Sequence, residues 1–136
     1  MFTLNERLAA DTFDVMNLQL SKLLLMNDAR YPWFILVPRI ENVSEIHQLG
    51  KQQRLQLMQE SCALSEYIEQ QFNIDKMNVA ALGNIVPQLH MHHIGRRQTD
   101  PAWPGPVWGH SASVAYDKAV AQQIMQKARE DLANLQ

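Results

Sequence analysis

The apolar pattern changes period along the chain, and this limits the fold more than any other feature. From Gln52 to Phe72, the positions Leu57, Ser61, Leu64, Ile68 and Phe72 recur every three or four residues, with Leu55, Met58 and Cys62 widening the stripe. That spacing predicts a long amphipathic helix. Upstream, Lys22–Met26 and Tyr31–Val37 are short apolar runs separated by Asn27-Asp28-Ala29-Arg30, a turn-favouring stretch at hairpin spacing. They read as an antiparallel pair with Asn27 and Asp28 at its tip. Pro38 stops the second run, and Glu45–Leu49 reads as a brief helical turn ended by Gly50. Downstream, Met77–Leu82 and Leu89–Ile94 read as two further strands flanking Gly83-Asn84 and Pro87.

Gln98–Ser113 holds Pro101, Pro104, Pro106, Gly105 and Gly109, which exclude a continuous helix or a central strand, so it reads as a loop carrying Trp103 and Trp108. Val120, Ile124, Ala128, Leu132 and Leu135 then give a last helical stripe, with Ser113 as its expected N-cap. The expected fold is one α+β domain over residues 1–136. It has an antiparallel sheet of about five strands, one long helix, and a C-terminal helix packed at an edge or across a two-fold partner.

Composition narrows the function classes. With 46% apolar and 19% charged residues, the 136-residue chain has the make-up of a folded globule. A net charge of −2 gives no electrostatic footprint for nucleic acid or an anionic membrane. The apolar runs Leu23–Met26 and Trp33–Val37 fall far short of the ~20 residues that cross a bilayer. Cys62 is the only cysteine, so no intrachain disulfide forms, and MFTLNERLAADTF lacks the charged-then-apolar order of a signal peptide. A cytoplasmic protein is expected.

Three of the five histidines lie in Gln88-Leu89-His90-Met91-His92-His93-Ile94. Strand alternation would put Gln88, His90 and His92 on one face and Leu89, Met91 and His93 on the other. Imidazoles two residues apart on a strand lie about 7 Å apart at the backbone, close enough to share one phosphate-sized group. The same spacing also fits a solvated, half-exposed strand. Three chemistries suit the pair. Neutral imidazoles could bind a metal, although no third ligand is close in sequence. They could act as general acid and base. One could attack phosphorus while its neighbours neutralise the phosphate oxygens and a backbone carbonyl sets its tautomer.

Gly83-Asn84-Ile85-Val86-Pro87-Gln88-Leu89-His90-Met91-His92-His93-Ile94-Gly95-Arg96 resembles the histidine triad (HIT) family, with Gln88 in place of the first motif histidine. The order of hairpin, proline, long helix, strand, turn and histidine strand is also similar to that family, from about Leu23 to Arg97. The Trp103–Gly109 stretch is similar to the tail of bacterial HIT proteins of this length.

The resemblance implies a homodimeric nucleotide hydrolase or transferase that needs no metal or cofactor. Such enzymes cleave at the α-phosphate of a nucleoside phosphate through a covalent nucleotidyl-histidine. It assigns the nucleophile to His90 and phosphate and leaving-group contact to His92. Gln88 remains a hydrogen-bonding but uncharged replacement. It further implies phosphate contact by Asn84 and ribose contact by Asn27 or Asp28.

Two departures stand out. Trp33 occupies the place of a further supporting histidine, so that support is expected to be lost. Ile85 replaces a hydroxyl near the leaving group, which favours substrates such as dinucleoside polyphosphates, whose leaving group needs little protonation, over phosphoramidates. A catalytically weak nucleotide-binding protein and a metal-dependent hydrolase are the competing readings.

Among the remaining residues, Arg96 and Arg97 are candidates for distal phosphates. Trp108 and Trp103 are candidates for base stacking or for plain packing. His93 is expected to pack or hydrogen-bond behind the sheet, and His47 to be solvated. His110 has no direction fixed by sequence, and Cys62 is expected in the apolar helix stripe.

Overall fold

The computed structural model describes Met1–Gln136. Its five strands are β1 (Thr12–Asn17), β2 (Ser21–Met26), β3 (Trp33–Pro38), β4 (Lys76–Ala80) and β5 (Met91–Arg96). They form one sheet in the order β1-β2-β3-β5-β4, and every neighbouring pair is antiparallel. Three helices accompany it: α1 (Glu6–Asp11), α2 (Lys51–Phe72) and α3 (Lys118–Asp131). The α+β expectation with a long helix and a C-terminal helix holds.

Alternation along the central strands sorts side chains to two faces. Leu23 and Leu25 of β2, Phe34 and Leu36 of β3 and Met91 of β5 lie against Leu57, Leu64 and Ile68 of α2 and Ala121, Met125 and Ala128 of α3. Leu24, Ile35, Val37 and Ile94 face the other way and pack with Leu8, Tyr31, Trp33, Val86, Ala102 and Val107. Each fully buried Leu or Ile in these layers contributes about 2 kcal/mol. Ile68 of α2 and Ile74 just beyond its end press so closely on β5 that a Cβ on Gly95 would lie 2.9 Å and 2.6 Å from them, so only glycine fits there. That contact seats the histidine strand against the helix.

The structure departs from the sequence reading in four places. α1 and β1 occupy the stretch before the hairpin, where no element was assigned. Leu55, Met58 and Cys62 are exposed, because at 3.6 residues per turn they fall opposite the Leu57-Ser61-Leu64-Ile68 face. The C-terminal stripe is Ala121, Met125, Ala128 and Leu132, which leaves Val120 exposed. Asp117 caps α3, accepting from the Ala119 amide at 2.9 Å, and Ser113 lies upstream in the loop. α3 packs at the β1 edge, where Arg129 donates to the Val15 carbonyl at 2.7 Å.

Candidate active site

The chain runs without regular structure through Gly83–His90 and enters β5 only at Met91. Register then places His92 between Ile35 of β3 and Ala80 of β4, and His93 between Phe34 and Val79. His92 therefore shares a face with Ile35 and Ile94, and His93 turns toward α2. His90, one residue before β5, brings its ring beside that of His92, with centroids 5.0 Å apart and planes at 71°.

The hydrogen bonds of these rings fix which nitrogen carries the proton. His90 Nδ1–H donates to the Gln88 carbonyl at 2.7 Å, which leaves Nε2 with a free lone pair. At His92 the polarity is reversed: the indole N–H of Trp33 donates to Nδ1 at 3.0 Å. An indole can only donate, so His92 Nδ1 accepts and Nε2 bears the hydrogen. His93 donates from Nδ1 to the Met91 carbonyl at 3.0 Å and accepts at Nε2 from the Ser61 hydroxyl of α2 at 2.7 Å. Burial, reinforced by neighbouring His90 and His93, pushes the His92 pKa down to about 3. Burial also pushes His93 down to about 4, against the opposing pull of its bond to Met91. Both rings are neutral at physiological pH.

His90 and His92 line a cavity of about 280 Å³ closed by Leu8, Met26, Asn84, Ile85 and Trp108, with Arg7 and Asp11 of α1 at its wall. A larger cavity of about 610 Å³ adjoins it, sharing Arg7, Met26, Ile85 and Trp108 and reaching Asn27, Asp28 and Ser111. Trp108 stands at the junction, its ring 5.2 Å from His92 and 6.3 Å from Trp33. Its indole N–H is buried and has no protein partner. No third His, Cys, Asp or Glu joins the two histidines in a group suited to a metal ion.

Asn84 and Trp108 line the histidine cavity, and Asn27 lines the larger cavity, although its Oδ1 already accepts from the Tyr116 amide at 2.9 Å. Four expectations need correction. Gln88 is not on a shared strand face with His90 and His92: its carboxamide accepts from the Asn5 amide at 2.8 Å and donates to the Thr3 carbonyl at 2.9 Å. It fastens the N-terminal segment and is absent from the walls of the histidine cavity. Asp28 is buried and tied to Arg30 through two bonds of 2.9 Å. Burial opposes its charge, but bonds from Arg30 and the Val114 amide hold it below the usual carboxylate range. It clamps the hairpin tip and leaves no free carboxylate for a ribose.

Arg96 is buried as well, paired bidentately with Asp100 at 2.7 and 2.9 Å and bonded to Asn78 at 2.9 Å, with Trp103 packed beside its guanidinium. It is a structural residue, as is Arg97, which donates to the carbonyls of Phe72 and Asn73. Finally, the supporting contact expected to be lost at Trp33 is present, supplied by the indole.

His47 is exposed, and His110 is exposed and bonded to the Ser111 hydroxyl at 2.9 Å. Sequence reasoning missed Arg7 and Asp11. The available signal was Asn5, which caps α1 by accepting from the Arg7 and Leu8 amides, followed by a run of good helix formers.

A HIT domain model matches residues 7–99. Among solved structures, a histidine triad protein from Marinobacter aquaeolei VT8 is 51% identical, with a TM-score of 0.97 over 100% of this chain and 99% of the other. One from Bradyrhizobium japonicum is 45% identical, with a TM-score of 0.92 over 95% and 96% of the two chains. One from Sinorhizobium meliloti 1021 is 38% identical, with a TM-score of 0.93 over 96% and 97%. Comparison with curated proteins gives no significant match. Paired histidines at the mouth of β5, the strand order around them and the matched domain agree: the chain belongs to the histidine triad (HIT) family.

Proposed function

We propose that this protein is a nucleotide hydrolase or nucleotidyl transferase acting at the α-phosphate through a covalent nucleotidyl-His90 intermediate. Proteins of the HIT family generally bind and hydrolyse nucleotides. The observation that carries the finer reading is the opposite polarity of two adjacent rings: a lone pair on His90 Nε2 and a hydrogen on His92 Nε2, both at one cavity.

His90 Nε2 attacks phosphorus, and the bond to the departing oxygen breaks with its electron pair leaving on that oxygen. The positive charge that develops on the ring is met at Nδ1–H by the Gln88 carbonyl. His92 Nε2–H, the Asn84 amide and the Arg7 guanidinium are the donors for the phosphoryl oxygens. Arg7 takes the place first given to Arg96. Water then attacks phosphorus and gives up a proton to solvent, as the P–N bond breaks and its electron pair returns to His90 Nε2. Trp108 and Asn27 hold the nucleoside across the two cavities. Ile85, 72% exposed at the rim, offers no proton to a leaving group, which favours anhydrides such as dinucleoside polyphosphates.

We also propose a homodimer in the cytoplasm. The edge strand β4 is unpaired on its outer side, and Val79, Leu55 and Met58 are exposed apolar side chains on β4 and α2. Sedimentation at micromolar concentration checks the dimer; a monomer throughout rejects it.

The deciding experiment is mass spectrometry of protein quenched after mixing with AMP-containing anhydrides. A nucleotidyl adduct on a His90 peptide is expected. AMP binding with neither adduct nor turnover would instead establish a non-catalytic nucleotide-binding protein, the reading favoured by the commitment of Gln88 to the N-terminal segment.

A further inference from the structure

We propose that Trp33 is a positioning residue that locks His92 as a permanent neutral donor, and thereby restricts the enzyme to leaving groups that depart without being protonated. The inference rests on the catalytic reading above but adds a residue and a substrate limit to it.

The argument begins with the cross-strand geometry. Trp33 opposes Ile94 in the β3–β5 register, which makes His92 its diagonal neighbour on the same face, a distance that long aromatic side chains span. The indole N–H reaches His92 Nδ1 at 3.0 Å, both residues are buried, and their ring centroids lie 5.6 Å apart. A second proton on His92 would have to go on Nδ1, where it would face the indole N–H with no acceptor between them. The positive ring would also be buried without a carboxylate bonded to it, since Asp11, the carboxylate at the cavity wall, is paired with Arg7. The titratable neighbours on its own segment are His90 and His93, and across the cavity α1 presents Arg7 and Asp11. β3 and the loop following β5 offer only Trp33 and Trp108, which do not titrate.

The consequence is chemical. General acid catalysis requires a group that gives up a proton and is stable afterwards. His92 has one hydrogen, on Nε2, and giving it away would leave an imidazolate. The ring can therefore donate a hydrogen bond to a phosphoryl oxygen or a departing phosphate but cannot transfer a proton. A phosphate or nucleoside polyphosphate leaves as an anion and needs none. An amine leaving from a phosphoramidate must be protonated, and neither His92 nor Ile85 can supply that proton.

The test has two arms. The first reads the unsubstituted protein without substrate: long-range proton–nitrogen NMR assigns the His92 tautomer. A neutral ring with hydrogen on Nε2 from mildly acidic to mildly basic pH is expected. An Nδ1–H tautomer, or an imidazolium in that range, overturns the proposal whether or not the protein is an enzyme.

The second arm compares Trp33→Phe and Trp33→His in kcat/KM for a diadenosine polyphosphate and an adenosine phosphoramidate. Trp33→Phe removes the donor to Nδ1 but leaves the ring buried, so the Nδ1–H tautomer of a still neutral His92 is expected to appear in the NMR spectrum of the variant. Histidine at this position can accept as well as donate, so the phosphoramidate-to-polyphosphate ratio is expected to rise at least about tenfold. An unchanged His92 tautomer in Trp33→Phe together with an unchanged ratio in Trp33→His overturns the proposal. Absence of turnover in the unsubstituted protein counts against the catalytic reading alone, because the first arm still decides the tautomer.

Discussion

His90 Nδ1 lies 2.7 Å from the carbonyl oxygen of Gln88, two residues earlier in the same bend. Gln88, expected to act through its side chain, thus meets the site through its backbone, and in the proposed mechanism that carbonyl leaves Nε2 as the nitrogen that attacks. Replacing His90 with alanine removes the proposed nucleophile while disturbing no contact of either apolar layer. Turnover is expected to fall at least about a thousandfold, with AMP affinity changed by only a small factor. Steady-state kinetics and calorimetry on the variant check this; turnover near the original rate would remove His90 from the mechanism. Gln88→Glu should behave quite differently, keeping the carbonyl and disturbing only the contacts to Asn5 and Thr3.

Arg96 and Asp100 form a pair in which both side chains are almost fully buried, and Asp100 also receives the amides of Arg97, Ala102 and Trp103. The pair pins the start of the loop that carries Trp108. Removing one partner leaves the other charge buried and alone, which costs about 3–5 kcal/mol. Arg96→Leu is therefore expected to lose stability on that scale in urea denaturation. At temperatures where it remains folded, AMP binding should change little. A variant that keeps its stability but loses binding selectively would restore the phosphate role that the sequence suggested.

The contrast between Arg96 and Arg7 shows what was legible in the sequence. Periodicity located α2, the hairpin, β4, the histidine strand and the C-terminal helix, because burying one face of an element writes a repeat into the residues. It also located His90 and His92, since a short polar pair inside an apolar strand is hard to explain by packing alone. Side-chain partners that depend on distant loops leave no such trace. Asp100, four residues after Arg96, and Arg30, two after Asp28, neutralise charges that looked free. α1 spans only six residues, too few for a helical stripe to emerge, so Arg7 and Asp11 went unmarked. Trp33 looked like a missing contact because a hydrogen-bonding role was expected only of a histidine.

His93 links the strand that carries the site to the middle of α2 through the Ser61 hydroxyl, and its ring has no exposed surface. Burial pushes its pKa down to about 4, from the ordinary imidazole value of 6.5. Between those two values the unfolded chain takes up a proton that the folded chain refuses, so the unfolded state binds more protons and stability falls as the pH drops. The contribution is absent above about pH 6.5 and complete below about pH 4, where it reaches on the order of 3 kcal/mol. Glutamine at this position can still accept from Ser61 and has no proton to gain. His93→Gln is expected to be somewhat less stable than the unsubstituted protein at neutral pH, yet to lose markedly less stability on acidification. Denaturation midpoints at neutral pH and near pH 4.5 measure the difference. His92 contributes in the same direction down to about pH 3, so a residual acid dependence should persist in the variant. An acid dependence identical to that of the unsubstituted protein would show that His93 is already protonated when folded, and the Ser61 bond would then have to run the other way.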